Sequence, residues 1–149
     1  MPEKTVASNR KARHDYEILD VLEAGLVLLG SEIKSLRAGK ASLQESFVAI
    51  EPGEAWLVNA HIAPYEHAGY AGHEARRRRK LLLHRRQIAE LAFQSRAKGH
   101  ALVPLRVYLL DGRAKLELAL ARGKKQYDKR ESIRKRDMER EVERSARER

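Results

Sequence analysis

Asp111-Gly112 is the dipeptide that most restricts how this chain can fold. It joins two strand-like runs, residues 101–110 and 113–120, both rich in aliphatic side chains. A two-residue hairpin turn needs positive φ at both central positions, which Asp-Gly adopts readily, so the two runs are predicted to pair antiparallel.

Other segments fit around that hairpin. Residues 1–13 are polar and basic without periodicity and read as a flexible arm. Residues 15–29 carry Tyr16, Ile18, Val21 and Val27 as β-formers, with Ala24-Gly25 as the expected turn. Ser31 is placed to cap a short helix over residues 32–37 that closes near Gly39. Residues 47–50 and 55–62 are two further β-rich runs about the turn Glu51-Pro52-Gly53-Glu54, with Pro64 ending the second. Residues 65–75 read as a loop, and residues 83–98 as a helix with Gly99 at its C′ position. The order is hairpin, short helix, hairpin, longer helix, hairpin. About six short strands with few helices suggest a mainly β domain, a small closed or partly open barrel, because closure removes exposed edges. A flat α+β sandwich is the competing architecture.

A chain of 149 residues suits one domain, expected over residues 1–121. Beyond it, residues 122–149 hold twelve basic and seven acidic side chains and almost nothing apolar besides Ile133, Met138 and Val142. Such a segment buries too little surface to order itself, so it reads as a basic tail, disordered when free and able to become helical on a partner. The absence of cysteine fits a reducing compartment. The N-terminus lacks the apolar core of a secretory signal, and no apolar run approaches a membrane span. A cytoplasmic protein without a membrane partner is expected.

A net charge of +10 favours a polyanionic partner. The cations cluster in Arg10-Lys11-Ala12-Arg13-His14, in Arg76-Arg77-Arg78-Arg79-Lys80 with Arg85-Arg86, and in the tail from Lys124-Lys125. Clustered cations release counterions from nucleic acid. The middle run flanks Leu81-Leu82-Leu83, which either anchor the backbone in the core or leave one leucine to pack on a nucleotide. Aromatics make up only 5% of the chain, too few for a general single-strand binder, which favours a folded RNA recognised by shape and backbone. Tyr127, in a cationic segment without apolar neighbours, reads as a stacking or partner contact. The histidines follow no ligand spacing, and no phosphate loop, nucleophile elbow or paired carboxylates occur, so neither a metal, a cofactor nor catalysis is expected.

Seven motifs in one order resemble the SsrA-binding protein (small protein B) family. They are Asn9-Arg10-Lys11-Ala12-Arg13-His14-Asp15-Tyr16, Glu23-Ala24-Gly25, Glu32-Ile33-Lys34-Ser35-Leu36-Arg37-Ala38-Gly39, His61-Ile62-Ala63-Pro64-Tyr65, Arg79-Lys80-Leu81-Leu82-Leu83-His84, Gly112-Arg113-Ala114-Lys115, and Gly123-Lys124-Lys125-Gln126-Tyr127-Asp128-Lys129-Arg130. The resemblance implies an oligonucleotide-binding barrel with flanking helices that binds the transfer-RNA-like domain of transfer-messenger RNA. Its RNA contacts would fall on Asn9, Glu23, Lys34, Leu82 and Lys115, joined by the cations Arg10, Lys11, Arg13, Arg79 and Lys80. Lys34 and Lys115 would meet phosphates, Asn9 a base edge, and Leu82 an unstacked base. Glu23 would accept hydrogen bonds from base amino or imino groups, or else support the Gly25 turn. By the same resemblance the tail, with Gly123, Lys124, Lys125, Tyr127, Asp128, Lys129 and Arg130, enters the decoding site and empty message channel of the small ribosomal subunit and contacts its RNA. Elongation factor Tu and alanyl-tRNA synthetase would be met through the same RNA, with the protein a monomer in a one-to-one complex. One departure from the family pattern is the quadruple arginine at 76–79, where the family often has a proline before a basic pair.

Overall fold

The computed structural model describes residues 3–64 and 73–124. In chain order the elements are β1 (Glu3–Ser8), α1 (Arg10–Asp15), β2 (Tyr16–Leu26), α2 (Gly30–Arg37), β3 (Ala41–Ser42), β4 (Phe47–Glu51), β5 (Glu54–Val58), β6 (His61–Ile62), β7 (Arg79–Leu82), α3 (Arg85–Gln94), β8 (His100–Leu110) and β9 (Arg113–Gly123). Seven strands form one antiparallel sheet in the order β1-β8-β9-β2-β7-β5-β4, and β3 pairs with β6 beside it. The chain is mainly β with short helices, as expected.

The turns set the registers. Asp111 and Gly112 take φ of 52° and 78°, so Leu110 faces Arg113 and the long β8–β9 pair follows. Gly53, at φ 76°, closes the β4–β5 hairpin. β8 and β9 are covered on both faces. Leu116, Leu118 and Leu120 join Leu36, Leu57, Leu81 and Leu91 in the main core, while Ala119 and Ala121 meet Ala12 of α1 behind the sheet with Val103 and Leu105. The alternation of large and small residues along β9 lets a helix lie close on its second face.

Several expectations change. Residues 3–13 are not a flexible arm. Residues 3–8 pair with β8, and Asn9 caps α1 by accepting the Ala12 N–H at 3.1 Å. Val6 and Ala7 are the only apolar residues of β1, and the register shift between Thr5 and Ala7 breaks their alternation, so the sequence shows little periodicity. Residues 16–26 form one strand with no turn at Ala24-Gly25. A Cβ on Gly25 would stand 3.1 Å from the Leu82 Cβ, so this glycine marks a close approach between strands. Ser31 does not cap α2. It lies inside the first turn, and Glu32 accepts the Leu29 N–H at 2.8 Å instead. α3 is shorter than the helix expected over residues 83–98, running from Arg85 to Gln94 before the turn that reaches Gly99 at φ 82°.

The sheet is also open rather than a closed barrel. β1 and β4 are its hydrogen-bonded edges, and β4 lies against β8 without a ladder between them. Pro104 of β8 has no N–H to donate. The Pro104 and Leu105 carbonyls already accept from Asn9 Nδ2 at 3.0 Å and the Asn9 N–H at 2.7 Å.

Candidate nucleic-acid interface

Strand register aligns one row of side chains across five strands. Thr5 of β1 faces Tyr108 of β8, Tyr108 faces Lys115 of β9, Lys115 faces Gly25 of β2, and Gly25 faces Leu82 of β7. Cross-strand partners share a face, so Leu82 and Lys115 flank a position where Gly25 leaves the backbone bare. Leu82 is 56% exposed, a large apolar side chain held at the surface by a short strand. Glu23 lies two residues before Gly25 on the same face. Together with His84 and Gln87 these groups line a concavity of about 330 Å³.

The next row explains how a carboxylate is held there. Glu23 stands directly opposite Glu117, a like-charge pair that would repel. Each acid has separate donors. Glu117 accepts from Arg106 Nε at 2.9 Å and Arg13 at 3.2 Å. Glu23 Oε2 accepts from the Tyr108 hydroxyl, and its Oε1 lies 3.9 Å from Lys115 Nζ. Burial, then the hydrogen bond to Glu23 and its charge, push the Tyr108 phenol above its usual range, so the hydroxyl keeps the proton it donates. Arg106 also stacks on Tyr108, 4.1 Å from the ring centroid, and pairs with Glu3. The result is a fixed carboxylate, an ammonium group and an exposed leucine gathered about Gly25, over whose backbone Leu82 leans. That combination can hydrogen-bond a base edge, neutralise a phosphate and pack against an unstacked base.

The arginine run behaves differently from its composition. Arg79 faces inward beside Leu57 and is fully buried, so its place among RNA contacts is withdrawn. Its Nε donates to Glu32 at 2.6 Å and its Nη1 to the Ala60 carbonyl at 2.6 Å. Arg77 completes the cluster at 2.5 Å from Glu32. Burial raises the Glu32 pKa, but hydrogen bonds from Arg77, the Leu29 N–H and Arg79, with the charge of Arg79, outweigh it and hold the carboxyl below its ordinary range. Arg76 donates to the Asn59 carbonyl at 3.0 Å. Much of this cationic run therefore braces the fold. Alternation along β7 turns Lys80 and Leu82 outward and Arg79 and Leu81 inward.

The remaining expected contacts divide. Arg10, Lys11 and Arg13 are exposed on α1, with Arg13 reaching Glu117 on the face just described. Asn9 has both ends of its amide engaged, by Ala12 and Pro104, so it positions α1 as well as facing outward in part. Lys34 is exposed on α2. Gly123 belongs to β9 rather than to a tail, because it pairs with Tyr16 and donates to the Gly99 carbonyl at 3.1 Å. Lys124 follows it, exposed. Lys125, Tyr127, Asp128, Lys129 and Arg130 lie outside the described residues, as do residues 65–72 of the loop expected over 65–75. The sequence reading missed Tyr108, Arg106 and Glu117. Counting back from the Asp111-Gly112 turn would have placed Tyr108 opposite Lys115. Among the described residues no group of three His, Cys, Asp or Glu could hold a metal, and no helix is long and apolar enough to cross a membrane.

The chain matches the family model described as SmpB protein over residues 6–148. It is 61% identical over 146 residues to the SsrA-binding protein of Desulforudis audaxviator, covering 98% of this chain and 95% of that one. The SsrA-binding protein of Streptomyces coelicolor is 56% identical, covering 95% of this chain and 89% of the relative. A chain from the solved structure described as "tmRNA-SmpB: a journey to the center of the bacterial ribosome" superposes with a TM-score of 0.67 and 52% identity, covering 78% of this chain and 82% of that chain.

Proposed function

This chain belongs to the SmpB protein family, and from that membership we infer that it binds transfer-messenger RNA and acts with it in trans-translation on stalled ribosomes. The observation that carries the reading to particular residues is the row Tyr108–Lys115–Gly25–Leu82 with Glu23 beside it. Glu23, Leu82 and Lys115 are far apart in sequence, yet the sheet gathers them on one exposed face. Lys115 supplies charge to a phosphate, Glu23 Oε1, which Lys115 Nζ approaches only to 3.9 Å, accepts from a base, and Leu82 packs on the base plane. Lys80, Arg10, Lys11, Arg13 and Lys34 supply further phosphate contacts, and Asn9 sets the position of α1.

In this reading the rolled sheet, with β4 against β8, is a partly open barrel of the oligonucleotide-binding type. Residues up to Lys124 hold the RNA. Lys125, Tyr127, Asp128, Lys129 and Arg130 make the contact with the small ribosomal subunit at the decoding site. The protein works as a monomer in the cytoplasm, without catalysis of its own, and meets elongation factor Tu and alanyl-tRNA synthetase through the RNA.

A competition assay at moderate salt tests this. The transfer-RNA-like domain should outcompete unrelated structured RNAs, and E23A, L82A and K115A should each lose that preference while staying folded. Equal affinity for all structured RNAs would reduce the protein to a general RNA-binding module.

A further inference from the structure

We propose that Trp56, with Arg78 and Lys80, forms a second nucleotide platform that extends the RNA interface from Leu82 toward the β4–β5 edge. The proposal rests on the RNA-binding reading above. Three observations carry it. Lys80 and Leu82 alternate with the buried Arg79 and Leu81 along β7, so both project from the face that carries Glu23 and Lys115, and Arg78, exposed just before the strand, lies over Trp56. Lys80 faces Trp56 across the β5–β7 pair, which sets an indole directly beside that stripe. The ring is already used as a cation platform, with Arg78 Cζ 4.5 Å from its centroid.

The local chemistry suits exchange. The Trp56 indole N–H donates to Glu54 at 3.2 Å, which fixes the ring plane in advance. Arg78 is held by Glu51 at 2.6 Å and Lys80 lies 3.9 Å from Glu54, with all four side chains nearly half exposed. Exposed ion pairs of this kind contribute little, so both cations can turn to phosphates at small cost. A base that slides over Trp56 takes the place Arg78 occupies in the free protein and sends its guanidinium toward the backbone of the same nucleotide. Glu51 and Glu54 disfavour phosphates without a base to stack, which restricts the platform to unpaired nucleotides. Trp56 faces Lys80 and is thus the diagonal cross-strand neighbour of Leu82, about 7–8 Å away, so Leu82 and Trp56 would engage neighbouring bases of one extended segment.

Trp56 is the only tryptophan in the chain, so its emission reports this site alone. The full-length protein would be titrated with the transfer-RNA-like RNA, following tryptophan emission and the anisotropy of a labelled RNA in parallel. Quenching that saturates with the anisotropy is expected, along with loss of iodide accessibility. W56L should bind roughly tenfold or more weakly, W56F should recover most of that loss, and R78Q should bind more weakly with a shallower salt dependence. Circular-dichroism melting checks that each variant folds. Normal RNA binding with unchanged emission, or wild-type affinity in both W56L and R78Q, would overturn the platform and leave the RNA-binding reading intact. No anisotropy change at all would remove that reading, and the platform with it.

Discussion

Glu32 and Arg79 meet where neither side chain is exposed to solvent. Removing one partner strands the other charge, so R79M should cost about 3–5 kcal/mol in urea denaturation, far more than any substitution in the exposed Arg78–Glu51 pair. The pH dependence has a definite sign. Because the folded Glu32 pKa is held below its unfolded value, the stabilisation is complete above that unfolded value and is lost as pH falls through the folded one. Melting temperature should therefore drop below roughly pH 4.3, and E32Q should flatten this part of the profile. On the outer face, Tyr108 directs the Glu23 carboxylate. Y108F removes one charge-assisted donor and should weaken RNA binding by about 1 kcal/mol, or roughly fivefold in a filter-binding assay, with little effect on folding.

At the scale of elements, β2 and β7 approach closely only because position 25 has no side chain. G25V should push against Leu82, cost about 1–3 kcal/mol of stability, and weaken RNA binding more than L82V does. Unfolding and RNA titrations on the same preparations separate the two effects. The same glycine illustrates what could be read from sequence. Turns that need positive φ announced themselves at Gly53 and Gly112, because only backbone geometry was at stake. Gly25 was misread as a turn because its role depends on a strand that pairs with it from residues 79–82, which are distant in the chain. β7 itself was obscured by charge, since Arg79 sits where the strand pattern calls for an apolar residue and is accommodated only by Glu32 of α2. β1 was missed for the converse reason, having a partner in β8 but little apolar periodicity of its own. The site fared better: Glu23, Leu82 and Lys115 came from the family motifs, and the sheet brings them together. Their support from Tyr108, Arg106 and Glu117 is a cross-strand property that no local window contains.

For the whole molecule, the proposed separation of RNA binding from ribosome action sets where a truncation should fall. Arg122 pairs with Glu17 and Gly123 with Tyr16, so a cut after Ala121 would damage the sheet, whereas a cut after Lys124 spares it. The chain ending at Lys124 should bind the transfer-RNA-like RNA within about twofold of the full protein and fail to support tagging on stalled ribosomes in a reconstituted translation system. The long reach of the sheet has another consequence. Glu3 faces Leu110, and Tyr16 faces Gly123, so the first two strands find their principal neighbours only near the end of synthesis. Contacts of such sequence separation form late, and a growing chain can pair β4, β5 and β7 with the tip of β2, and β3 with β6, but not the long strands of the main sheet until β8 and β9 leave the ribosome exit tunnel. A copy made from a message broken before codon 100 would therefore never complete its sheet. A rescue factor with this topology offers proteases a recognisably unfinished product whenever its own translation stalls early.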